Sequence, residues 1–212
     1  MTHVSVFALD GPVVRGEAGA LWISHLAARG VASPGLLAKV ALVSVLDRRG
    51  VRLDLDRLAH DTMAPFEGLP VDGMDRALDG FVANRLLPAV RPQAMRAMAE
   101  LRALGHRIVL ATSAIAPIAE RLARHLPIDA WVGSELAPAA DGRFVGALEG
   151  PVAVGPARRD AVEDLAARRW PRWRLARVYG DRESDADLMR AAAEPIAVNP
   201  AEPLRPLARR PG

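Results

Sequence analysis

Short runs of aliphatic and β-branched residues alternate along this chain with segments of helical spacing, and the principal runs stop at polar turn residues. Val4 to Leu9 ends at Asp10-Gly11-Pro12, Arg107 to Ala111 at Thr112-Ser113, and Leu175 to Tyr179 at Gly180-Asp181. Shorter runs lie around Trp131-Val132 and over Ile196 to Val198. An apolar run of this length bounded by turn chemistry is a buried strand. Strands that alternate with helices close as a parallel sheet covered on both faces, with ligands expected beyond the carboxyl ends of the strands. The pattern therefore predicts an α/β, Rossmann-like parallel sheet flanked by helices. Asp10, Thr112 and Asp181 all fall at strand ends.

The helical segments have recognisable limits. Pro92 opens one in its first turn, Met95, Met98 and Leu101 share a side, and Gly105 ends it. Another begins near Pro117, with Ile118, Leu122 and His125 or Leu126 recurring along one face, a third runs from about Pro156 to Arg169, and a short one from Asp185 to Ala193. Between Glu17 and about Pro88 apolar residues recur at helical spacing: Ala18, Leu21, Trp22 and His25, then Leu36, Val40 and Val43, then Met74, Leu78, Phe81 and Val82. This stretch reads as an inserted, all-helical cap. The expected organisation is a core domain of residues 1–14 and 92–212 and a cap domain of residues 15–91. Asp141-Gly142 favours a tight turn, hence a small β-hairpin after the third strand.

With 212 residues and half of them apolar, the chain can fill one core with an insertion. It has no cysteine, which excludes disulfides and thiolate metal sites. The start, MTHVSVFALD, has no basic flank, and no later run approaches the length of a membrane span, so a cytoplasmic protein without a membrane partner is expected. The formal charge is only +3, and Lys39 is the sole lysine. Arg168, Arg169, Arg172, Arg174 and Arg177 cluster, but without a nucleic-acid-binding signature they read as a solvated basic face, and no nucleic-acid partner is expected.

Four segments, in order, resemble the four motifs of the haloacid dehalogenase (HAD) superfamily: Phe7-Ala8-Leu9-Asp10-Gly11-Pro12, Val109-Leu110-Ala111-Thr112-Ser113, Gly155-Pro156-Ala157-Arg158, and Tyr179-Gly180-Asp181-Arg182-Glu183-Ser184-Asp185. Leu148-Glu149-Gly150-Pro151 and Pro195 to Pro200 are similar to the phosphoserine-phosphatase-like branch, which places a helical cap directly after the first motif. The resemblance covers nearly the whole chain. It implies phosphomonoester hydrolysis through an aspartate nucleophile, a second aspartate two residues on as general acid/base, and Mg²⁺ shared with the fourth motif. Such covalent catalysis divides the displacement into two easier steps, and the metal offsets repulsion between carboxylate and phosphoryl oxygens.

Ala8 occupies the nucleophile position and has no oxygen to offer. Asp10 matches the acid/base and, through its carbonyl, a metal ligand; Asp181 and Asp185 match the acidic metal-binding residues. Asp10 is equally a turn residue after a strand, and Asp185 an acid near a helix N-terminus. Thr112 matches the hydroxyl that bonds the phosphoryl group, with Ser113 the alternative one residue on. Arg158 stands for the family's lysine, either as compositional drift or as retained anion binding. Glu17 matches an acidic substrate-contacting residue, and is equally an acid in the first turn of a helix. Pro12 replaces a threonine and removes a backbone N–H from the loop. Arg15, Arg52 and Arg85 are further candidates for anion contacts.

Three readings follow. The leading one is a HAD-fold, phosphatase-like protein that is catalytically inactive or severely impaired, with weakened Mg²⁺ binding and a small phosphorylated metabolite or anion as ligand. The second is a working Mg²⁺-dependent phosphomonoesterase, engineered or otherwise compensated at position 8. The third is a non-catalytic protein whose partner is another protein.

Overall fold

A computed structural model describes residues 1–49, 51, 62–138, 141–201 and 204. Arg52 and the carboxyl-terminal residues 205–212 lie outside the described residues. Five strands form one parallel sheet: β1 (Thr2–Ala8), β2 (Arg107–Ile115), β3 (Ala130–Ser134), β4 (Trp173–Gly180) and β5 (Glu194–Ala197), in the order β3-β2-β1-β4-β5. The chain steps outward from β1 to β3 and then crosses to the other side for β4, so the topological switch lies at β1, between β2 and β4. A crevice forms beyond the strand ends at such a switch.

Side chains of β1 and β2 alternate between two cores, as a two-residue strand period requires. Phe7, Ile108 and Leu110 belong to one cluster, and Val4, Val6, Val109 and Ala111 to the other. The described helices are α1 (Ala18–Ala27), α2 (Pro34–Arg48), α3 (Val71–Phe81), α4 (Pro92–Ala103), α5 (Ala116–Ala123), α6 (Gly155–Arg169) and α7 (Ala186–Ala191). Met98 and Leu101 of α4 and Ile118 and Leu122 of α5 fill the first cluster; Val162 and Ala166 of α6 and Leu188 and Met189 of α7 fill the second. Each such large side chain contributes about 1.5–3 kcal/mol on burial. β2 runs past the predicted end at Ala111, but its pairing with β1 stops at the Ala8–Ala111 pair. Thr112 and Ser113 therefore still lie beyond the shared ladder.

The described residues between β1 and α4 form helices, single turns and connecting loops. Trp22, Phe81 and Leu86 from this insertion belong to the same apolar cluster as the sheet face below it. The two connecting segments run side by side: Arg15 N–H bonds Ala89 C=O at 2.9 Å, Arg91 N–H bonds Val13 C=O at 2.8 Å, and Val14 bridges Val90. Arg91 Nε also donates to Gly11 C=O at 2.7 Å, tying this crossing to the loop after β1. Farther out, Arg121 of α5 pairs with Asp75 at 2.6 Å and Asp79 at 2.7 Å on α3. The small hairpin consists of Glu135 to Ala137 against Ala147 to Glu149, and its tip reaches the insertion through bonds between Phe144 and Gly68 and Leu69. Asp141 and Gly142 both have positive φ, as the predicted turn requires. Among the described residues no helix is long and apolar enough to cross a membrane.

Candidate active site

The ends of β1, β2 and β4 bring most of the predicted residues to one place. Ala8, Asp10, Thr112, Ser113, Arg158, Arg182 and Asp185 line a small cleft whose free volume is about 10 Å³. That is room for about one water. Ala8 is 7% exposed and ends the β1 ladder, so its methyl group lies where the resemblance calls for a carboxylate.

Asp10 Oδ1 accepts the N–H of Ala18 at 2.7 Å and so caps α1 from outside the helix. Its carboxyl, ordinarily near 3.8, is pushed up to about 6. Burial is the largest cause and Glu17 adds repulsion, against the lowering pull of Arg182 and of the Ala18 N–H. A carboxyl raised in this way is suited to carry a proton near neutral pH. Thr112 is buried, and its hydroxyl accepts the Ala114 N–H at 3.0 Å, a local turn bond. Ser113 is partly exposed and lines both this cleft and a larger cavity beside it.

The third and fourth motifs are locked to each other. Arg158 is 4% exposed; its Nε donates to Ala153 C=O at 2.7 Å and its Nη1 to Asp185 Oδ1. Asp185 Oδ2 accepts the N–H groups of Asp181 at 2.9 Å and Arg182 at 3.3 Å. Asp185 is thus a loop-forming acid satisfied from three directions. Asp181, 1% exposed, packs its carboxylate so closely on Gly11 that a Cβ there would lie 2.2 Å from Oδ2. Arg182 follows directly, with Nε 3.1 Å from Asp181 Oδ1 and Nη1 3.3 Å from Glu17 Oε1. Glu17, at the N-cap of α1, makes no side-chain cap bond; its carboxylate faces Arg182 instead.

The haloacid dehalogenase-like hydrolase family model matches residues 6–190. This chain belongs to that family. It is 31% identical to phosphoserine phosphatase SerB2 of Mycobacterium tuberculosis over 203 residues, 96% of this chain but 46% of that protein, so it spans about half the length of that relative. It is 30% identical to a phosphoserine phosphatase of Halobacterium salinarum over 94% of this chain and 87% of the relative. Among solved structures, a Bordetella pertussis protein of unknown function superposes with a TM-score of 0.83 at 21% identity, covering 99% of this chain and 95% of that one. A substrate-bound phosphoserine phosphatase superposes with a TM-score of 0.72 at 16% identity, covering 99% and 91%.

HAD phosphatases typically use Mg²⁺, and the residues of this HAD chain do not fit that ion. Ala8 supplies no ligand, Asp181 Oδ1 is engaged by the Arg182 guanidinium, and Asp185 is committed to Arg158 and two backbone N–H groups. Among the described residues no three acidic or imidazole side chains converge to hold a metal. The expected metal set of Asp10, Asp181 and Asp185 is therefore spread over different partners. The retained-anion reading of Arg158 meets a similar obstacle, since its guanidinium is engaged by Asp185 and by Ala153 C=O.

Sequence reasoning passed over three residues of this HAD site. Arg182 lay inside the fourth motif without a role; the signal was an arginine directly after the acidic residue of that motif. Ser134, at the end of β3, donates to Ser113 C=O at 2.8 Å and accepts the Ala153 N–H at 3.1 Å, joining the second motif to the loop before the third. Trp22 lines the larger cavity with Ile23, Met63, Ile115 and Ile118, and its indole N–H has no partner among the described residues. The arginines Arg15 and Arg85 do not join the cleft: Arg15 donates to Pro88 C=O at 3.3 Å, and Arg85 is exposed.

Proposed function

We propose that this HAD-family chain does not hydrolyse phosphomonoesters by the aspartyl-phosphate route, and that it acts by binding a small molecule in the cavity between the sheet ends and the helical insertion. The observation that carries this reading is the methyl group of Ala8 at the end of β1, facing Asp10, Thr112 and Arg158 across a cleft that admits about one water. Without a nucleophile, Asp10 has no leaving group to protonate. The similarity to phosphoserine phosphatases supports a small, phosphorylated ligand class. The larger cavity, about 180 Å³, has a mostly aliphatic wall and a polar edge formed by Asp10, Glu17 and Arg182, which supports a ligand with an apolar body.

The test is turnover of an aryl phosphate and of phosphoserine, with and without Mg²⁺, by the chain and its Asp10→Asn variant. Loss of a catalytic nucleophile costs on the order of a millionfold in rate, about 8 kcal/mol, so no activity above background is expected. Turnover that co-purifies with the protein and disappears in Asp10→Asn overturns the reading. Calorimetric titration with phosphate and phosphoserine addresses the ligand. Binding of either that is lost in Arg158→Ala would place the ligand in the small cleft rather than the larger cavity.

A further inference from the structure

The fourth motif of this chain carries its own cation. Arg182 is 8% exposed, and its guanidinium lies against the carboxylates of Asp181 (3.1 Å) and Glu17 (3.3 Å), with Asp10 acting on it electrostatically. These acids come from three different elements: the loop after β1, the N-terminus of α1, and the loop after β4. Each is partly or fully removed from water, and buried carboxylates without a counter-charge are strongly destabilising. In a metal-dependent site of this architecture a divalent ion would supply that charge. Here a covalently attached guanidinium does.

We infer that Arg182 replaces the divalent cation: the site is internally neutralised, excludes Mg²⁺, and uses the Glu17–Arg182 pair to tie the helical insertion to the loop after β4. Two observations and one property of the guanidinium group support this beyond the missing carboxylate at position 8. Asp181 presents Oδ1 to Arg182 while its Oδ2 side is pressed on Gly11, so its carboxylate has little freedom to turn toward an ion. Arg182 Nε and its backbone N–H both have partners within the same loop, to Asp181 and Asp185, which fix the start of its side chain. A guanidinium is planar and remains charged at all working pH values, so it holds carboxylates through directed N–H bonds that a hydrated ion would not make. Gly11 and Asp185 thus serve to present the acids to an arginine rather than to a metal.

The experiment uses Mn²⁺ as the probe, read by electron paramagnetic resonance of the free ion, with Mg²⁺ competition. Four proteins are compared: the chain itself, Arg182→Ser, Ala8→Asp and Ala8→Asp/Arg182→Ser. The chain and Ala8→Asp should show no saturable binding at millimolar Mn²⁺. Arg182→Ser should bind, and the double variant should bind at least about tenfold more tightly than Arg182→Ser, since a further carboxylate joins the site. Because Arg182→Ser leaves three acids without their cation, its fold is checked by circular dichroism and by its melting temperature, which should rise with Mn²⁺ concentration. Arg182→Lys, which keeps a charge, supplies the folded control and should remain metal-free. Saturable Mn²⁺ binding by the unmodified chain or by Ala8→Asp overturns the inference, as does failure of the folded double variant to bind. None of these readouts depends on turnover, so they stand or fall separately from the hydrolysis assay.

Discussion

Gly11 offers the sharpest test of how the first and fourth motifs are joined. Its φ is +84°, and an added Cβ would lie 2.2 Å from Asp181 Oδ2 and 2.4 Å from Asp181 Cγ. Two costs of Gly11→Ala are separable. The left-handed backbone costs a residue with a Cβ about 1–2 kcal/mol. The contact forces the Asp181 carboxylate to move by about 1 Å, disturbing a buried charge-assisted bond to Arg182 worth about 1.5–3 kcal/mol. The expected total is about 2.5–5 kcal/mol, or roughly 5–20 °C in melting temperature for a chain of this size. Gly150→Ala isolates the backbone cost, because Gly150 has φ +79° with no atom within 4 Å of the added Cβ. That variant should lose only about 1–2 kcal/mol. In an Asp181→Ala background Gly11→Ala should fall to the same value, a coupling of about 1.5–3 kcal/mol in a double-mutant cycle by urea unfolding. If Gly11→Ala costs no more than Gly150→Ala, or costs the same with and without Asp181, the close approach does not control this loop.

Two buried groups should give opposite pH responses. The folded chain keeps the Asp10 proton up to about pH 6 whereas an ordinary aspartate releases it near 3.8, so this contribution is full below pH 3.8 and is lost as pH rises through 6. The loss is at most about 3 kcal/mol, and Asp10→Asn should flatten the decline in urea midpoint between pH 4 and 6; an unchanged slope counts against a raised Asp10. His25 is held below its ordinary 6.5 by burial first, then by Arg29 and Arg85. Its contribution is therefore present above pH 6.5 and lost as pH falls, and His25→Gln should lessen the acid sensitivity between pH 7 and 5. Arg121→Ala should destabilise by about 1–2 kcal/mol, because both its carboxylate partners on α3 are well exposed. The effect should vanish in an Asp75→Asn/Asp79→Asn background, and a persistent loss would assign Arg121 to packing instead.

The order of strands and helices was legible because each depends on local pattern. β-branched runs closed by Asp10-Gly11 and Gly180-Asp181 mark strand ends, Thr112-Ser113 marks only the end of the β1–β2 ladder within a longer strand, and prolines 92, 117 and 156 fall in first helical turns where their missing N–H has no partner to lose. The same motifs predict Ala8, Asp10, Thr112, Arg158 and Asp181 around one cleft; the first four line it together with Asp185, whereas the Asp181 carboxylate is packed against Gly11. Helix ends were less legible: α5 stops at Ala123, short of the predicted His125 or Leu126, because periodicity continues past the last helical hydrogen bond.

Sequence alone determined the sheet, the inserted helices, and the absence of an oxygen at position 8, since these rest on side-chain period and residue identity. Only the tertiary structure decided where each charge is directed. Arg158 and Asp185 are 27 positions apart, and Glu17 and Arg182 are farther still along the chain, yet each pair meets inside the site. Whether a buried guanidinium faces a ligand, a metal's place or an internal carboxylate depends on which acids the fold places beside it. Ion pairing between distant segments leaves no period in the sequence, so the partner of Arg182 becomes visible only when β1 and β4 lie side by side.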